Sequence, residues 1–160
     1  MPVTDVTKDL DNRTLRIIAQ FAAPPERIWQ VYADPNQLAA VWGPPTYPAT
    51  VVRHELRPGG RVHYYMTGPE GERFYGYWVV TDVDEPSSFG FEDGFADENF
   101  EPVDMPVSQN SYVFEAHDGG TRAVYVSTYA TAEGLQQVLD MGVVEGASEA
   151  IGQIDELVAA

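Results

Sequence analysis

From Arg13 to Phe21 apolar and polar residues alternate, which predicts a strand with one buried face. Pro24-Pro25-Glu26 then opens a helix, because proline fits a first turn and an early glutamate suits the positive dipole end. Ile28, Val31 and Tyr32 supply its apolar side. Asp34-Pro35 caps and starts a second short helix, which Gly43-Pro44-Pro45 stops just after Trp42. From Ala49 the pattern turns to β. Turns at Arg57-Pro58-Gly59-Gly60, Gly68-Pro69-Glu70-Gly71, Glu85-Pro86-Ser87-Ser88 and His117-Asp118-Gly119-Gly120 separate strands near 61–67, 72–84, 89–93, 108–116 and 121–129. Consecutive strands joined by tight turns predict an antiparallel meander. Its apolar face needs a cover, and the C-terminal segment is the only element long enough to provide one.

That segment, Ala132 to Ala160, reads as one long helix interrupted by Gly134, Gly142, Gly146 and Gly152. A glycine inside a helix costs about 0.5–1 kcal/mol relative to alanine, so each asks for a reason. At about 100° per residue, Leu135, Leu139, Gly142, Gly146, Ala150, Gln153 and Leu157 share a stripe. Gly134 and Gly152 fall off it. Gly142 and Gly146 thus predict a notch in the buried face, where a backbone, a large side chain or a ligand approaches closely.

The strands carry an unusual supply of aromatic residues, among them Tyr64, Tyr65, Phe74, Tyr75, Tyr77, Trp78, Phe89, Phe91, Tyr112, Phe114, Tyr125 and Tyr129. Alternation sends half toward the covering helix and half outward. On residues 72–84 both faces are apolar: Tyr75, Tyr77 and Val79 on one, Phe74, Trp78 and Val80 on the other. Either could be interior, and the outer one would need a homodimer contact or a covering loop. The inner aromatics either close a solid core or line a cavity. The glycine notch favours the cavity.

The element order β-α-α-β-β-β-β-β-β-α resembles the α+β helix-grip fold of START-like (SRPBCC, birch-pollen-allergen-like) proteins. There a curved antiparallel sheet wraps a long C-terminal helix. Six motifs carry the likeness in order: Ala23-Pro24-Pro25-Glu26-Arg27-Ile28-Trp29, Trp42-Gly43-Pro44, Arg57-Pro58-Gly59-Gly60, Gly68-Pro69-Glu70-Gly71, Gly119-Gly120-Thr121 and Met141-Gly142-Val143-Val144-Glu145-Gly146. Together they are similar to the branch related to the C-terminal domain of the heat-shock-protein-90 ATPase activator, over about Thr14 to Ala159. One position departs from the pattern: Ala147 stands where many members carry tryptophan. Independently of the resemblance, the polar, acidic first dozen residues are expected to form a flexible N-terminus at 1–12, and the chain length suggests one domain at 13–160. The resemblance implies a cavity between sheet and helix for a small apolar or aromatic molecule, with no cofactor. The residues expected to line it are Trp42, His63, Tyr65, Tyr75, Tyr77, Phe91, Phe95, Tyr112, Phe114, Tyr125, Gly142 and Gly146. A polyketide cyclase or aromatase-like enzyme and a chaperone-interacting module are the alternatives, since one fold hosts many functions.

Charge and chemistry narrow the field. Nine basic against 25 acidic residues give a formal net charge of −16, which opposes nucleic acid and anionic membrane surfaces. The absence of cysteine rules out thiol chemistry and fits a cytoplasmic setting, as does the lack of an apolar leader or a membrane-length apolar run. With Pro58-Gly59 at the centre of its turn, His54 is expected opposite His63, close enough to share a proton. Neither spacing nor neighbours supply a third metal ligand. The acidic run from Glu92 to Glu101 lacks the ligand spacing of a calcium loop. It reads, through to Pro106, as a mobile flap anchored by Phe95 and Phe100. No nucleophile elbow, phosphate loop or zinc-protease motif is present, so the sequence favours binding over catalysis.

Overall fold

The structure, a computed structural model, describes residues 2–159. Met1 and Ala160, which the expected boundaries 1–12 and 13–160 include, lie outside the described residues. Among the described residues eight strands form one antiparallel sheet: β1 (Val3–Asp9), β2 (Thr14–Phe21), β3 (Ala49–His54), β4 (Arg61–Thr67), β5 (Arg73–Asp84), β6 (Ser88–Ala96), β7 (Ser108–His117) and β8 (Gly120–Tyr129). Their spatial order is β1-β2-β8-β7-β6-β5-β4-β3. Helices α1 (Pro25–Ala33) and α2 (Pro35–Trp42) carry the chain from β2 to the far edge at β3. The C-terminal segment, α3 (Ala132–Asp140), α4 (Val143–Gly152) and α5 (Ile154–Ala159), closes the concave side of the curved sheet. This is the helix-grip arrangement expected from the sequence.

Two expectations are corrected here. The described part of the expected tail at 1–12 is not flexible chain: Val3–Asp9 pairs with β2, and Val3 and Val6 pack against the core. The polar composition of this segment is that of an edge strand with one face in water, which imitates a disordered terminus. The final helix is also not continuous. Gly142 sits at φ +87°, a left-handed conformation that ends α3 and starts α4. Its N–H donates to Leu139 O at 3.1 Å, while the Met141 N–H donates to Gln137 O, also at 3.1 Å. This is a glycine after a helix C-terminus, where a side chain would be strained. Thr131 caps the start of α3 by accepting from the Gly134 N–H at 2.9 Å.

Strand alternation decides the interior face. Leu15, Ile17, Ala19 and Phe21 of β2, Val62 and Tyr64 of β4, and Trp78 and Val80 of β5 point inward and are buried. Tyr75, Tyr77 and Val79 therefore point outward. Beneath α1 the inner face is solid: Trp29 packs edge-on against Phe89 at 5.7 Å, and Tyr32 stacks on Phe114 at 5.4 Å. Phe114, expected at the cavity, belongs to this filled end and is 2% exposed.

Candidate functional site

The other end of the concave face is not filled. A cavity of about 370 Å³ lies between β6–β8, the tip of α2 and the α3–α4 junction. Two of its lining residues, Tyr47 and Met141, are 36% and 56% exposed, which places its mouth between the α2–β3 loop and the helix break. Gly142 and Gly146 both border it, for different reasons. Gly142 is required by its backbone conformation. At Gly146 a Cβ would meet no atom within 4 Å, so this glycine faces open space and not a tightly packed strand. Ala147 and Ala150 also line this wall, and the small side chains of α4 leave the volume unoccupied.

Seven of the twelve expected residues meet around this space: Trp42, Phe91, Phe95, Tyr112 and Tyr125 with the two glycines. Phe114 lies below it, as described. The other four stand on the convex face. Tyr65 packs on Tyr75 at 5.6 Å, with the Arg73 guanidinium 4.4 Å from the centre of the Tyr65 ring. Tyr77 lies flat over Gly94, which has no side chain to obstruct it. His63 stacks on Phe100 at 4.6 Å. The face choice was open on β5, and the wrong choice there moves all four.

His54 and His63 do not pair. A bulge between Val51 and Arg53 shifts the β3 register, so His54 opposes Val62 and His63 opposes Arg53. The two rings consequently leave the sheet on opposite sides. His54 Nε2–H donates to the Tyr32 carbonyl at 2.8 Å, tying β3 to α1. Burial, with Arg53 and Arg61 nearby, holds His63 below its ordinary range. Proton sharing between these histidines is excluded by this register. The acidic run is likewise more ordered than a flap. Its first part, through Ala96, is β6; Asp97 then closes a turn, its Oδ1 accepting from Asn99 N at 2.8 Å and Glu101 N at 3.1 Å. This turn lays Phe100 on the convex face while Phe95 enters the cavity.

Sequence reasoning missed the polar residues of the cavity. Tyr64 of β4 reaches over Gly76 of β5 and donates to Asp93 Oδ1 of β6 at 2.8 Å. Any Cβ on Gly76 would overlap the Tyr64 ring and hydroxyl, so the glycine makes this bridge possible. Burial pushes the Asp93 carboxyl up to about 7, against the opposing effect of the Tyr64 hydrogen bond. Cross-strand pairing places Ser108 beside Asp93 and Tyr129 beside Ser108; the next inner row holds Asn110 and Ser127. Asn110 Nδ2 donates to Ser108 Oγ at 3.0 Å and to the carbonyls of Ser108 and Phe91. Ser127 donates to Asn110 Oδ1 at 2.6 Å. Where the cavity meets the solid end, the Tyr32 and Tyr125 hydroxyls share a hydrogen bond at 2.9 Å, and burial raises both groups well above 10. The missing signal was alternation carried through the acidic run: Phe89, Phe91, Asp93 and Phe95 are every second residue.

Residues 22–159 match the family described as Activator of Hsp90 ATPase homolog 1-like protein. The chain belongs to that family. Among solved structures of this family's fold, a protein from Mycobacterium smegmatis is 70% identical, with 98% of this chain and 96% of that one covered and a TM-score of 0.92. One from Arthrobacter aurescens is 41% identical over 98% and 92%, with a TM-score of 0.94. The AHSA1 protein of Silicibacter pomeroyi, at 22% identity over 91% and 97% and a TM-score of 0.73, shares the fold. No curated protein matches the chain. Among the described residues no helix is long and apolar enough to cross a membrane.

Proposed function

We propose that this chain binds a small apolar or aromatic molecule in the cavity between the sheet and the α3–α4 segment. The observation that carries this reading is the void itself at Gly146, where a whole side chain is missing from an otherwise packed interface. Its volume lies in the usual range for small-molecule sites, and its walls combine aromatic rings with a few polar groups, as such sites do. The aromatic lining supplies most of the affinity; the polar row sets orientation.

The test is to close the void. Gly146→Leu extends a branched chain from a position where a Cβ meets nothing within 4 Å, and Gly146→Ala serves as the small control. Protein purified from its own host is analysed by native mass spectrometry, and apolar fluorescent probes are titrated against all three forms. The expected result is a co-purifying mass or a saturable probe signal in the wild type and Gly146→Ala, lost in Gly146→Leu. A wild type that binds nothing, or a Leu variant that binds unchanged, removes the proposal.

A further inference from the structure

The cavity's single ionisable carboxyl has no cation beside it. Asp93 is lined up with Ser108 and Tyr129 on the inner face, and among the described lining residues there is no Lys, Arg or His. Among the described residues only one of its oxygens is engaged, by Tyr64, and no hydrogen bond reaches Oδ2. The arrangement is also built. Gly76 is kept free of a side chain so that Tyr64 can cross β5, and Tyr64 is itself 7% exposed and wedged edge-on against Trp42 at 5.7 Å.

The surrounding polar groups point the same way. Every Asn110 amide donor is spent on Phe91 and Ser108, and the Ser127 hydroxyl proton is spent on Asn110. The free Asp93 oxygen and the Ser127 lone pairs are acceptors open to a guest at this end; the donors left beside them, the Trp42 Nε1–H and the Ser108, Tyr112 and Tyr129 hydroxyls, are neutral, so Asp93 is the one group here that can carry charge. A carboxylate guest would meet a buried like charge, and a purely hydrocarbon guest would leave Asp93 without a second partner. A protonated nitrogen satisfies it.

We infer that the molecule held in this cavity is a basic one: an apolar or aromatic body ending in a protonated amine, seated with its N–H groups on Asp93 Oδ2. This rests on the reading that the cavity binds small molecules and names the chemical class it selects. The formal charge of −16 acts in the same direction at long range, concentrating cations and repelling anions at the mouth. The body of the guest lies against Phe91, Phe95 and Tyr112, and the α4 wall at Gly146 leaves room for it.

The groups facing Asp93 allow a clean pH test. Tyr64 from β4, Tyr112 from β7 and Tyr129 from β8 are all pushed above their ordinary range by burial, Tyr129 to about 12. Tyr77 on the convex side is raised as well. None of them titrates between about pH 5 and pH 9, and the α2 and α3–α4 lining residues carry no charge. Among the described lining residues, Asp93 alone changes charge in that window.

Three probes of one shape decide the matter: 2-naphthylmethylamine, 2-naphthylmethanol and 2-naphthoic acid, titrated by calorimetry against the wild type and Asp93→Asn. At pH 8 the wild type is expected to bind the amine about tenfold or more tightly than the alcohol, and the acid more weakly than either. In Asp93→Asn the amine and alcohol converge, because the charge that separates them is gone. Below about pH 7 the amine's advantage in the wild type declines as Asp93 takes up its proton, toward about tenfold per pH unit. A carbon-13 titration of the wild-type carboxyls reads the same event without a variant: the amine lowers the Asp93 midpoint and the alcohol does not. If the alcohol binds both proteins and the amine has no advantage, the cavity reading stands and the basic ligand is refuted. If no probe binds either protein, both are refuted.

Discussion

Gly142 and Gly146 stand one turn apart, and a sequence pattern treats them as equivalent; the structure predicts that alanine substitutions there shift stability in opposite directions. Alanine at 146 replaces glycine inside α4, where the new methyl group meets nothing within 4 Å. The helix gains about 0.5–1 kcal/mol from reduced backbone freedom in the unfolded chain, with no steric term against it. Alanine at 142 must adopt φ +87°. The left-handed conformation costs an L-residue about 1–2 kcal/mol, and no helix propensity is recovered because the residue is not helical. For a domain of this size about 1 kcal/mol moves the melting midpoint by roughly 2–4 °C. Gly146→Ala is therefore expected to melt about 1–4 °C above the wild type, and Gly142→Ala about 2–8 °C below it. Thermal melts followed by circular dichroism, backed by urea titrations with unchanged slope, measure both. Equal signs at the two positions would refute the assignment of Gly142 to the break and Gly146 to the void.

Other consequences can be checked in parallel. Gly76→Ala places a methyl group on the Tyr64 ring; it should destabilise by about 2–4 kcal/mol, and Tyr64→Phe should cost less in that background than alone, as a double-mutant cycle in urea would show. Asn110→Ala strips partners from Ser127 and the Phe91 carbonyl and should cost about 1–3 kcal/mol by the same measurement. The Asp93 carboxyl titrates at about 7 in the folded chain against 3.8 as its ordinary value, so between those values the folded state holds the extra proton and stability falls as pH rises. At about 1.4 kcal/mol per pH unit this slope amounts to a few kcal/mol, and Asp93→Asn should flatten it in denaturation curves taken from pH 4 to pH 8. Deleting residues 2–9 removes Val3 and Val6 from the core and uncovers β2; a loss of about 2–4 kcal/mol in urea is expected, whereas an unchanged midpoint would mean the strand adds nothing.

The β framework was legible because its boundaries are written in residues whose backbone preferences are strong. The proline and glycine pairs at 58–60 and 68–71 delimit β4 within a residue of where it lies. Interior features were less accessible. The break at Gly142 preserves most of the 100° spacing across it, so a helical wheel sees one helix where a left-handed residue makes two. The bulge beside Val52 is a one-residue slip, and with a period of two that slip reverses the face of His54 relative to His63. Asp93 lay hidden because its neighbours Glu92 and Asp97 make the segment resemble a solvated loop. Whether a carboxyl among acids faces water or a cavity depends on strand phase, and the phase is set by partners far away in the chain. The aromatic residues of β5 pose the same difficulty, since both faces of that strand are apolar.

Both margins of the sheet are irregular. On β1 the register slips between Val3 and Asp5, and on β3 it slips between Val51 and Arg53, so neither outermost strand presents an unbroken row of backbone donors and acceptors. Charged side chains at Asp5, Lys8 and Arg53 stand along the same margins. A neighbouring copy seeking to continue the hydrogen-bond ladder would find its first few rungs out of step at either end. The fold thus completes its sheet while disfavouring edge-to-edge polymerisation, and self-association is directed away from strand addition and toward side-chain contacts on a face.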